Sequence, residues 1–397
     1  MMERIRKIEV DEKHFKLRVV LLVICLTVAF VGIGFGIHYL VNRQNGWQRV
    51  EIAASQTNCA ADFTLDYCFG RDGQSANQEY RALSSLYAQA SEEGYRSFYE
   101  EPEALNAAPN QPVVVSDALY RALKQVRESE SRHLYLASVN VEYDRVFLCE
   151  TEGEALRYDP RREEESALWV YALATFANDP LHIQLVLQEN NTVILRVSQE
   201  YLEFAKEYEI DTFIDFGWMR NAFIADHIAD RLSEAGFTRG YVASYDGFTR
   251  NLDSGSYDQN IFCRTKDGVD KPAVITYSGP MALLSLRDYP MGDGDRWRFF
   301  AFSDGNVLTN QIDPADGFCK SAIHDLTVYS SGVGCAQLVL AVANIYVADA
   351  LDRGALEDLA AAGIYSVYCV EQKVCCTQPD LQIRLTDPKT TAYTLDK

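Results

Sequence analysis

The strongest constraint on this chain of 397 residues is an uncharged apolar segment near its N-terminus, residues 19–41. Nineteen consecutive residues from Val19 to Ile37 include no Asp, Glu, Lys or Arg, and a helix needs about 20 apolar residues to cross a bilayer. Six Lys or Arg residues precede the segment, whereas only Arg43 and Arg49 follow it closely. By the positive-inside rule, this asymmetry predicts a cytoplasmic N-terminus and an external C-terminal bulk. No convincing cleavage site follows, so we expect a retained anchor.

This anchor divides the chain into four predicted parts: a cytoplasmic tail (1–18), a transmembrane helix (19–41), a linker (42–58) and an extracytoplasmic domain (59–397). The net charge is −20 and the tail is slightly basic, so the acidic excess lies in the outer domain. Such a surface repels phosphate backbones, which excludes nucleic acid as an expected partner. The expected partners are the cell membrane and a protein outside the cytoplasm.

Ten cysteines are present, of which Cys25 lies in the apolar segment and nine follow it. No C-x-x-C pair occurs, so zinc-ribbon and thioredoxin-like sites have no support. The adjacent Cys375 and Cys376 are more typical of the two faces of a strand than of a redox pair. An odd number leaves at least one outer thiol unpaired unless it pairs with another chain, and the pairing of the others stays open.

The outer domain mixes helical and strand patterns without a regular βαβ alternation, which predicts an α+β fold. Apolar residues recur every three or four positions over 119–126, where Ser116 is the expected N-cap. They recur again over 223–232, where Gly236 is the expected stop. Residues 334–351 are apolar nearly all round, which predicts a fully buried helix.

Strand patterns occupy much of the remainder. Residues 182–187 and 192–197 predict a hairpin around Glu189-Asn190-Asn191. The charged stretch 128–165 is expected to be irregular. Further strands are predicted at residues 238–245, 273–277, 281–286, 296–302 and 327–329.

Four motifs follow one another in the outer domain. They are EEPEALN (100–106), IDFGWMRNAFIAD (214–226), EAGFTRGYVASYDG (234–247) and IDPADG (312–317). In this order they resemble the Ser-Glu…Leu-Asn, D-L-G-G-I-A-K-G-Y-A-V-D, E-A-G…V-N-x-G-G and I-I-D-P-x-T-G segments of the FAD:protein FMN transferases, the ApbE-like flavin transferases. The resemblance implies Mg²⁺-dependent transfer of FMN from FAD to a Ser or Thr of a partner protein. It also implies flavin-binding positions at Glu101, Asp215, Gly217, Gly247 and Asp313.

The positions that the chemistry needs depart from the family's pattern. The family's lysine falls on Asn221, its histidine on Asn310, and a glycine on Trp218, whose ring would fill space that a nucleotide needs. The Mg²⁺-binding carboxylate falls on Gln337 and the threonine on Ala341, and neither an amide nor a methyl group replaces hard oxygen ligands. We therefore predict no catalytic residue, no Mg²⁺ site and loss of flavin transfer. The domain would then serve as a binding or scaffold module, for which FAD is one candidate ligand.

Two alternatives remain open. A literal Ala-Asp-Ala-Leu at 348–351 leaves Asp349 as an alternative metal ligand, although Arg353 stands where the threonine belongs. This alternative predicts an active transferase that is inactivated by Asp349→Ala or Asp313→Ala, and a third hypothesis is a flavin or nucleotide carrier without chemistry. Arg220 is expected to be an exposed arginine at a helix start, with an anion-binding guanidinium as the other interpretation.

Overall fold

The structure is a computed structural model that describes residues 19–29, 31–32, 46–52, 62–70, 73–266, 268–292, 295, 297–386 and 393–396. The chain divides into two compact units, one of residues 1–48 and 68–82 and the other of residues 49–67 and 83–397. Every site discussed below lies within the second unit.

The helices and strands are numbered in chain order. The helices are α1 (Gly73–Tyr95), α2 (Glu101–Ala107), α3 (Asp117–Glu128), α4 (Ala137–Phe147), α5 (Glu152–Ala155), α6 (Glu164–Asn178), α7 (Gln199–Glu207), α8 (Arg220–Glu234), α9 (Cys335–Tyr346) and α10 (Arg353–Ala361). The strands are β1 (Gly46–Arg49), β2 (Phe63–Phe69), β3 (Pro112–Val114), β4 (Ile183–Gln188), β5 (Thr192–Val197), β6 (Gly240–Ser244), β7 (Phe248–Asn251), β8 (Ser256–Thr265), β9 (Gly268–Ser278), β10 (Met281–Arg287), β11 (Phe299–Ala301), β12 (Val307–Thr309), β13 (Asp325–Ser330), β14 (Tyr365–Val370), β15 (Lys373–Cys376), β16 (Gln382–Leu385) and β17 (Thr394–Asp396).

A large sheet with the order β2-β6-β7-β10-β13-β14-β15-β17 forms the centre of the second unit. Its neighbours β10 and β13 are antiparallel, whereas β15 and β17 are parallel. A smaller sheet, β16-β9-β8, shares an apolar cluster with the large one, formed by residues such as Ile275, Leu283, Tyr329 and Val367. Helices do not alternate regularly with the strands, so the predicted α+β fold is confirmed.

The predicted amphipathic helices are confirmed as α3 and α8. The Ser116 hydroxyl accepts a hydrogen bond from the Leu119 N–H at 3.1 Å, as an N-cap does, and Leu119 and Val126 are buried. Gly236 follows α8 with φ of +83°, a conformation that glycine adopts without a Cβ penalty.

The predicted hairpin is confirmed as β4 and β5, which pair antiparallel. Asn190 and Asn191 have φ of +57° and +54°. Successive positive φ angles are typical of the tight turns that asparagine favours. The predicted strands at 281–286 and 327–329 likewise fall within β10 and β13.

Two expectations about helices need correction. The stretch 128–165, predicted to be irregular, contains α4 and α5. In α4 the charged residues lie beside a buried stripe that includes Val139, Tyr143 and Val146, so the charges mask a helical period. The apolar run at 334–351 is helical only over α9, and Val347 is buried in the loop that follows. The predicted full burial of this helix was wrong, because Gln337 and Asn344 are exposed.

The predicted membrane anchor is covered only in part. Residues 19–29 and 31–32 are helical and exposed, and residues 30 and 33–41 lie outside the described residues. Within the described part of the chain, no helix has the length and apolar character needed to cross a membrane. The predicted linker contains β1, and its residues 42–45 and 53–58 are not described.

Candidate functional site

The second unit contains a cleft of about 850 Å³ between the start of α8, the turn after β6 and the loop after β10. Its charged lining consists of Arg220, Arg287, Arg298, Asp62, Asp246 and Asp295. Its aromatic lining consists of Tyr99, Tyr245 and Trp297. Ligand sites typically have volumes of about 300–1,000 Å³. This cleft can therefore contain a cofactor-sized ligand that has both negative charge and a planar ring.

Arg220, the first residue of α8, lies at one corner of the cleft. Its guanidinium forms an ion pair with Asp215, and its central carbon lies 3.9 Å from the centroid of the Tyr99 ring. The side chain is only 19% exposed, so the expectation of an exposed arginine was wrong. Its buried Nε has no hydrogen-bond partner among the described residues. The guanidinium can bind an anion in the cleft in competition with Asp215.

Gly217 shapes the same corner. Its φ is +53°, and its N–H donates to the Asp215 carboxylate. A Cβ on Gly217 would lie 3.0 Å from the Asn140 amide nitrogen, so a larger side chain would crowd that contact. The backbone of residues 215–217 therefore fixes the carboxylate that holds Arg220.

Two further arginines share one carboxylate on the opposite side of the cleft. The Asp295 carboxylate accepts hydrogen bonds from Arg287 at 3.0 Å, from Arg298 and from the Met291 N–H at 2.7 Å. Burial by itself would raise the pKa of Asp295, but these donors outweigh it and the pKa is lowered. Asp295 therefore stays ionised and keeps both guanidinium groups at the cleft.

The carboxyls of Asp62 and Asp246 behave differently. Asn221 donates to one oxygen of Asp246 at 2.9 Å, and the other oxygen is buried without a hydrogen-bond partner among the described residues. Burial raises the pKa of Asp246 although Arg298 lies nearby. Burial also raises the pKa of Asp62. Asp62 and Asp246 therefore lose their negative charge at a higher pH than Asp295 does.

A smaller cavity of about 230 Å³ adjoins the cleft, and Gly217, Arg220 and Asn310 line both. Asp144 and Trp218 line the smaller cavity but not the cleft. Desolvation and the charge of Asp215 raise the pKa of Asp144 to about 6. The Trp218 ring lies edge-on to His133 at 5.9 Å between centroids. The indole thus leaves the large cleft open.

Comparison with known proteins identifies the fold. No family model and no curated protein match the sequence. Among solved structures, the ApbE protein of Thermotoga maritima MSB8 matches with a TM-score of 0.54 at 12% identity, over 81% of this chain and 92% of that one. The flavin transferase ApbE of Vibrio cholerae matches with a TM-score of 0.54 at 13% identity, over 86% and 97% of the two chains. This chain has an ApbE-like fold. The resemblance drawn from the sequence is thereby confirmed at the level of the fold.

The predicted flavin-binding residues of the ApbE-like fold are distributed unevenly around the cleft. Gly217 lines it, and Asp215 holds the arginine at its corner. Glu101 instead accepts from the Ser116 N–H at 2.8 Å, which joins α2 to the start of α3. Gly247 has φ of +104° and packs on the Ser285 carbonyl. Asp313 accepts from Lys320 at 2.9 Å and from the Ala315 N–H at 2.9 Å. These last three do not line the large cavity.

The segments in which the sequence resemblance predicts or leaves open a metal ligand contain carboxylates that have protein partners. Lys320 lies 2.9 Å from Asp313, 2.6 Å from Asp316 and 3.5 Å from the exposed Asp349. Gln337 is exposed on α9. Within the part of the chain that the structure describes, no three His, Cys, Asp or Glu side chains are grouped to hold a metal ion. This cluster of aspartates does not fit Mg²⁺ as it stands, because the Lys320 ammonium lies among their carboxylates.

Asp226, the last residue of the second motif, also has a structural role. Its carboxylate accepts the N–H groups of Cys335 and Ala336 at 2.9 Å each and forms an ion pair with Arg250. A carboxylate at a helix N-terminus satisfies free N–H groups and complements the helix dipole. Asp226 therefore joins α8 to the start of α9.

Sequence reasoning missed several residues of the cleft. Tyr99, Asp246, Arg287 and Arg298 come from four separate segments, and of these only Asp246 lies in one of the four motifs. The only local signal is that Asp246 directly precedes the predicted Gly247.

Proposed function

We propose that this chain is a membrane-anchored, extracytoplasmic binding module that binds FAD or a related phosphate-bearing aromatic ligand without transferring FMN. One observation supports this proposal above the others: three arginines and three aromatic side chains converge on an open cleft of about 850 Å³. Arginine forms strong, bidentate hydrogen bonds with phosphate, and aromatic rings stack on planar ligands. Arg220, Arg287 and Arg298 would hold the phosphates, and Trp297, which is 54% exposed, would contact the ring.

Loss of transfer is supported by the contacts of the residues at the family's reactive positions. Asn221 holds Asp246, and Asn310 replaces a titratable imidazole by a neutral amide. The Lys320 ammonium forms ion pairs with Asp313 at 2.9 Å and with Asp349 at 3.5 Å. Bound Mg²⁺ would stabilise the negative charge of an attacked pyrophosphate. Its binding here is opposed because Mg²⁺ would have to displace the ammonium of Lys320, which is attached to the chain.

A binding and transfer assay tests the proposal. The full-length protein in detergent is titrated with FAD, with and without Mg²⁺, and then incubated with FAD and a Ser/Thr acceptor peptide. We expect saturable FAD binding that Mg²⁺ does not change and no covalently bound flavin on the peptide. Mg²⁺-dependent flavinylation that is lost in Asp349→Ala or Asp313→Ala would establish the active transferase instead. Absence of FAD binding would refute the proposal that FAD is the ligand.

A pair of arginine variants localises the binding. Arg220→Met removes a guanidinium from the cleft and should weaken FAD binding by about tenfold, the typical effect of one charge-assisted contact. Arg384→Met removes an arginine whose side chain is 70% exposed on β16 and should leave the affinity unchanged. Equal effects of both substitutions would show that FAD binds outside the cleft.

The location of the domain is tested separately. The basic tail and the uncharged segment 19–41 support a cytoplasmic N-terminus and an extracytoplasmic domain. In intact cells, an impermeant protease should remove an epitope fused to the C-terminus and spare one at the N-terminus. The reverse pattern, or protection of both, would overturn this orientation.

A further inference from the structure

Four polar side chains converge on the smaller cavity beside the cleft. They are those of Asn140, Asp144, Thr212 and Asn310, and the cavity that they line has a volume of about 230 Å³. Within the part of the chain that the structure describes, these four side chains form no hydrogen bond and no ion pair. Polar groups that converge on a concave site are the ones that orient a ligand. The cavity therefore has unused capacity to donate and to accept hydrogen bonds.

The backbone holds these groups at the cavity. The buried Asn106 accepts both N–H groups of residues 213–214, at 3.0 and 2.9 Å, which fixes the segment directly after Thr212. Asn140 and Asp144 are four residues apart on α4 and therefore lie on the same face of that helix. The polar lining is thus built on a helix and on a segment with fixed hydrogen bonds.

Arg220 lies at the boundary between the smaller cavity and the cleft, because it lines both. A phosphate bound to its guanidinium can extend a substituent into the smaller cavity. Inside, the carboxylate of Asp144 repels a second anion. The guanidinium of Arg220 repels a cation in the same way. Charge therefore admits an uncharged substituent to the cavity and leaves the phosphate at Arg220.

The lining of the cavity favours hydroxyl groups on that substituent. A hydroxyl both donates and accepts a hydrogen bond, as do the two amides and the Thr212 hydroxyl, and the Asp144 carboxylate accepts one more. Trp218 and Val141 add apolar surface for C–H groups. A cavity of about 150 Å³ is large enough for a benzene ring. About 230 Å³ can therefore hold a chain or ring of five or six carbons.

We propose that the smaller cavity binds a hydroxylated carbon chain or sugar ring that is attached to the phosphate at Arg220. This inference rests on the proposed function, because it needs a ligand phosphate at Arg220. It adds that the ligand carries hydroxyl groups next to this phosphate. The ribityl chain of a flavin nucleotide and the ribose of another nucleotide both have this chemistry. Asn140, Thr212 and Asn310 then determine specificity for the ligand.

Two phosphates of equal chain length test the proposal. Ribitol 5-phosphate has hydroxyl groups along its carbon chain, whereas n-pentyl phosphate has none. Each is titrated into the full-length protein in detergent by calorimetry, with a detergent blank subtracted. We expect ribitol 5-phosphate to bind more tightly by about tenfold, the combined effect of a few hydrogen bonds. Ribitol 5-phosphate that binds no more tightly than n-pentyl phosphate, or does not bind, would overturn the proposal.

A threonine pair localises the effect. Thr212→Val removes a hydroxyl at nearly constant volume and should weaken the binding of ribitol 5-phosphate by about fivefold, with no change for n-pentyl phosphate. The matched control is Thr175→Val on α6, where the hydroxyl donates to the Tyr171 carbonyl at 2.9 Å. It should change neither affinity. Equal effects of the two substitutions would show that the hydroxyl groups bind elsewhere, and the wild-type comparison decides the question if a variant fails to fold.

FMN and ADP-ribose distinguish the two carriers of the hydroxyl groups. Weaker binding in Thr212→Val that is confined to FMN assigns the cavity to a ribityl chain. Weaker binding that is confined to ADP-ribose assigns it to a ribose. An unchanged affinity for both would contradict the proposal.

Failure of the proposed function gives a different result. If FAD does not bind but ribitol 5-phosphate is preferred over n-pentyl phosphate, FAD is refuted as the ligand and the hydroxyl site is retained. If FAD binds and the two small phosphates bind equally, the proposed function is retained and the hydroxyl site is refuted.

Discussion

At the scale of single residues, Asp62 and Asp246 determine how much positive charge the cleft offers to a ligand. Both line the same wall, and burial raises the pKa of each. A carboxyl with a raised pKa takes up a proton at a higher pH than usual and then no longer repels an anion. The arginines stay charged over the same range. Acidification therefore makes the cleft more positive.

We predict that FAD binds several-fold more tightly as the pH is lowered from neutral toward acid, because these carboxyls take up protons at a higher pH than usual while phosphate stays ionised. Calorimetric titrations across this range measure the effect. Asp246→Asn should raise the affinity near neutral pH and flatten the profile.

The matched control is Asp258→Asn, which removes a carboxylate whose side chain is 58% exposed on β8. It should leave the pH profile intact. An affinity that is constant or that declines toward acid would contradict a role for these carboxyls.

Gly247 gives a second prediction, on stability. Its φ of +104° disfavours any side chain, and a Cβ would overlap the Ser285 carbonyl oxygen. Gly247→Ala should lower the free energy of unfolding by about 2–3 kcal/mol, measured by urea denaturation. Gly153→Ala, where nothing lies within 4 Å of the added carbon, should cost little. Equal stability of the two variants would show that the turn relaxes.

At the scale of elements, the start of α3 connects several segments. Ser116 caps the helix, contacts the Ser97 hydroxyl at 2.9 Å, and donates its own N–H to Glu101. Glu101, which the sequence resemblance assigns to flavin binding, therefore has a structural contact at the start of α3. The α2–α3 corner is fixed by side chains of three successive segments.

Ser116→Ala should cost about 1 kcal/mol in unfolding free energy, the usual value of an N-cap. Thermal and urea unfolding measure it. Ser233→Ala changes an exposed serine near the end of α8 and should be neutral or slightly stabilising, since alanine favours helices. A neutral Ser116→Ala would mean that Glu101 alone holds the corner.

Elements were predictable where local chemistry determined them. The side chain of Ser116 caps the start of α3, and the missing side chain of Gly236 allows α8 to end. The pair Asn190-Asn191 forms the turn between β4 and β5. These three elements therefore follow from the sequence. The helix α4 was missed because charges interrupt its apolar period. The end of α9 was missed because a buried loop residue such as Val347 is as apolar as the helix.

The cleft was predictable only in part, for a different reason. Asp215 and Gly217 belong to one contiguous motif, so resemblance located them. Arg287, Arg298 and Tyr99 meet only after β10, its loop and the helical segment Arg96–Glu100 between α1 and α2 have packed together. No spacing in the sequence encodes that convergence.

At the scale of the molecule, the two sheets of the second unit are joined by an apolar cluster and also by polar contacts. The Arg264 N–H of β8 donates to the Asp325 carboxylate of β13 at 2.9 Å. The contact between the sheets therefore does not depend on apolar packing alone.

The Lys320 ammonium lies among the carboxylates of Asp313, Asp316 and Asp349. It therefore acts as the counter-ion of this corner of the molecule. A counter-ion that is tethered to the chain cannot be removed by dialysis. Chelators such as EDTA should leave this corner and its neighbouring strands undisturbed, and the local charge balance should be the same in metal-poor and metal-rich media.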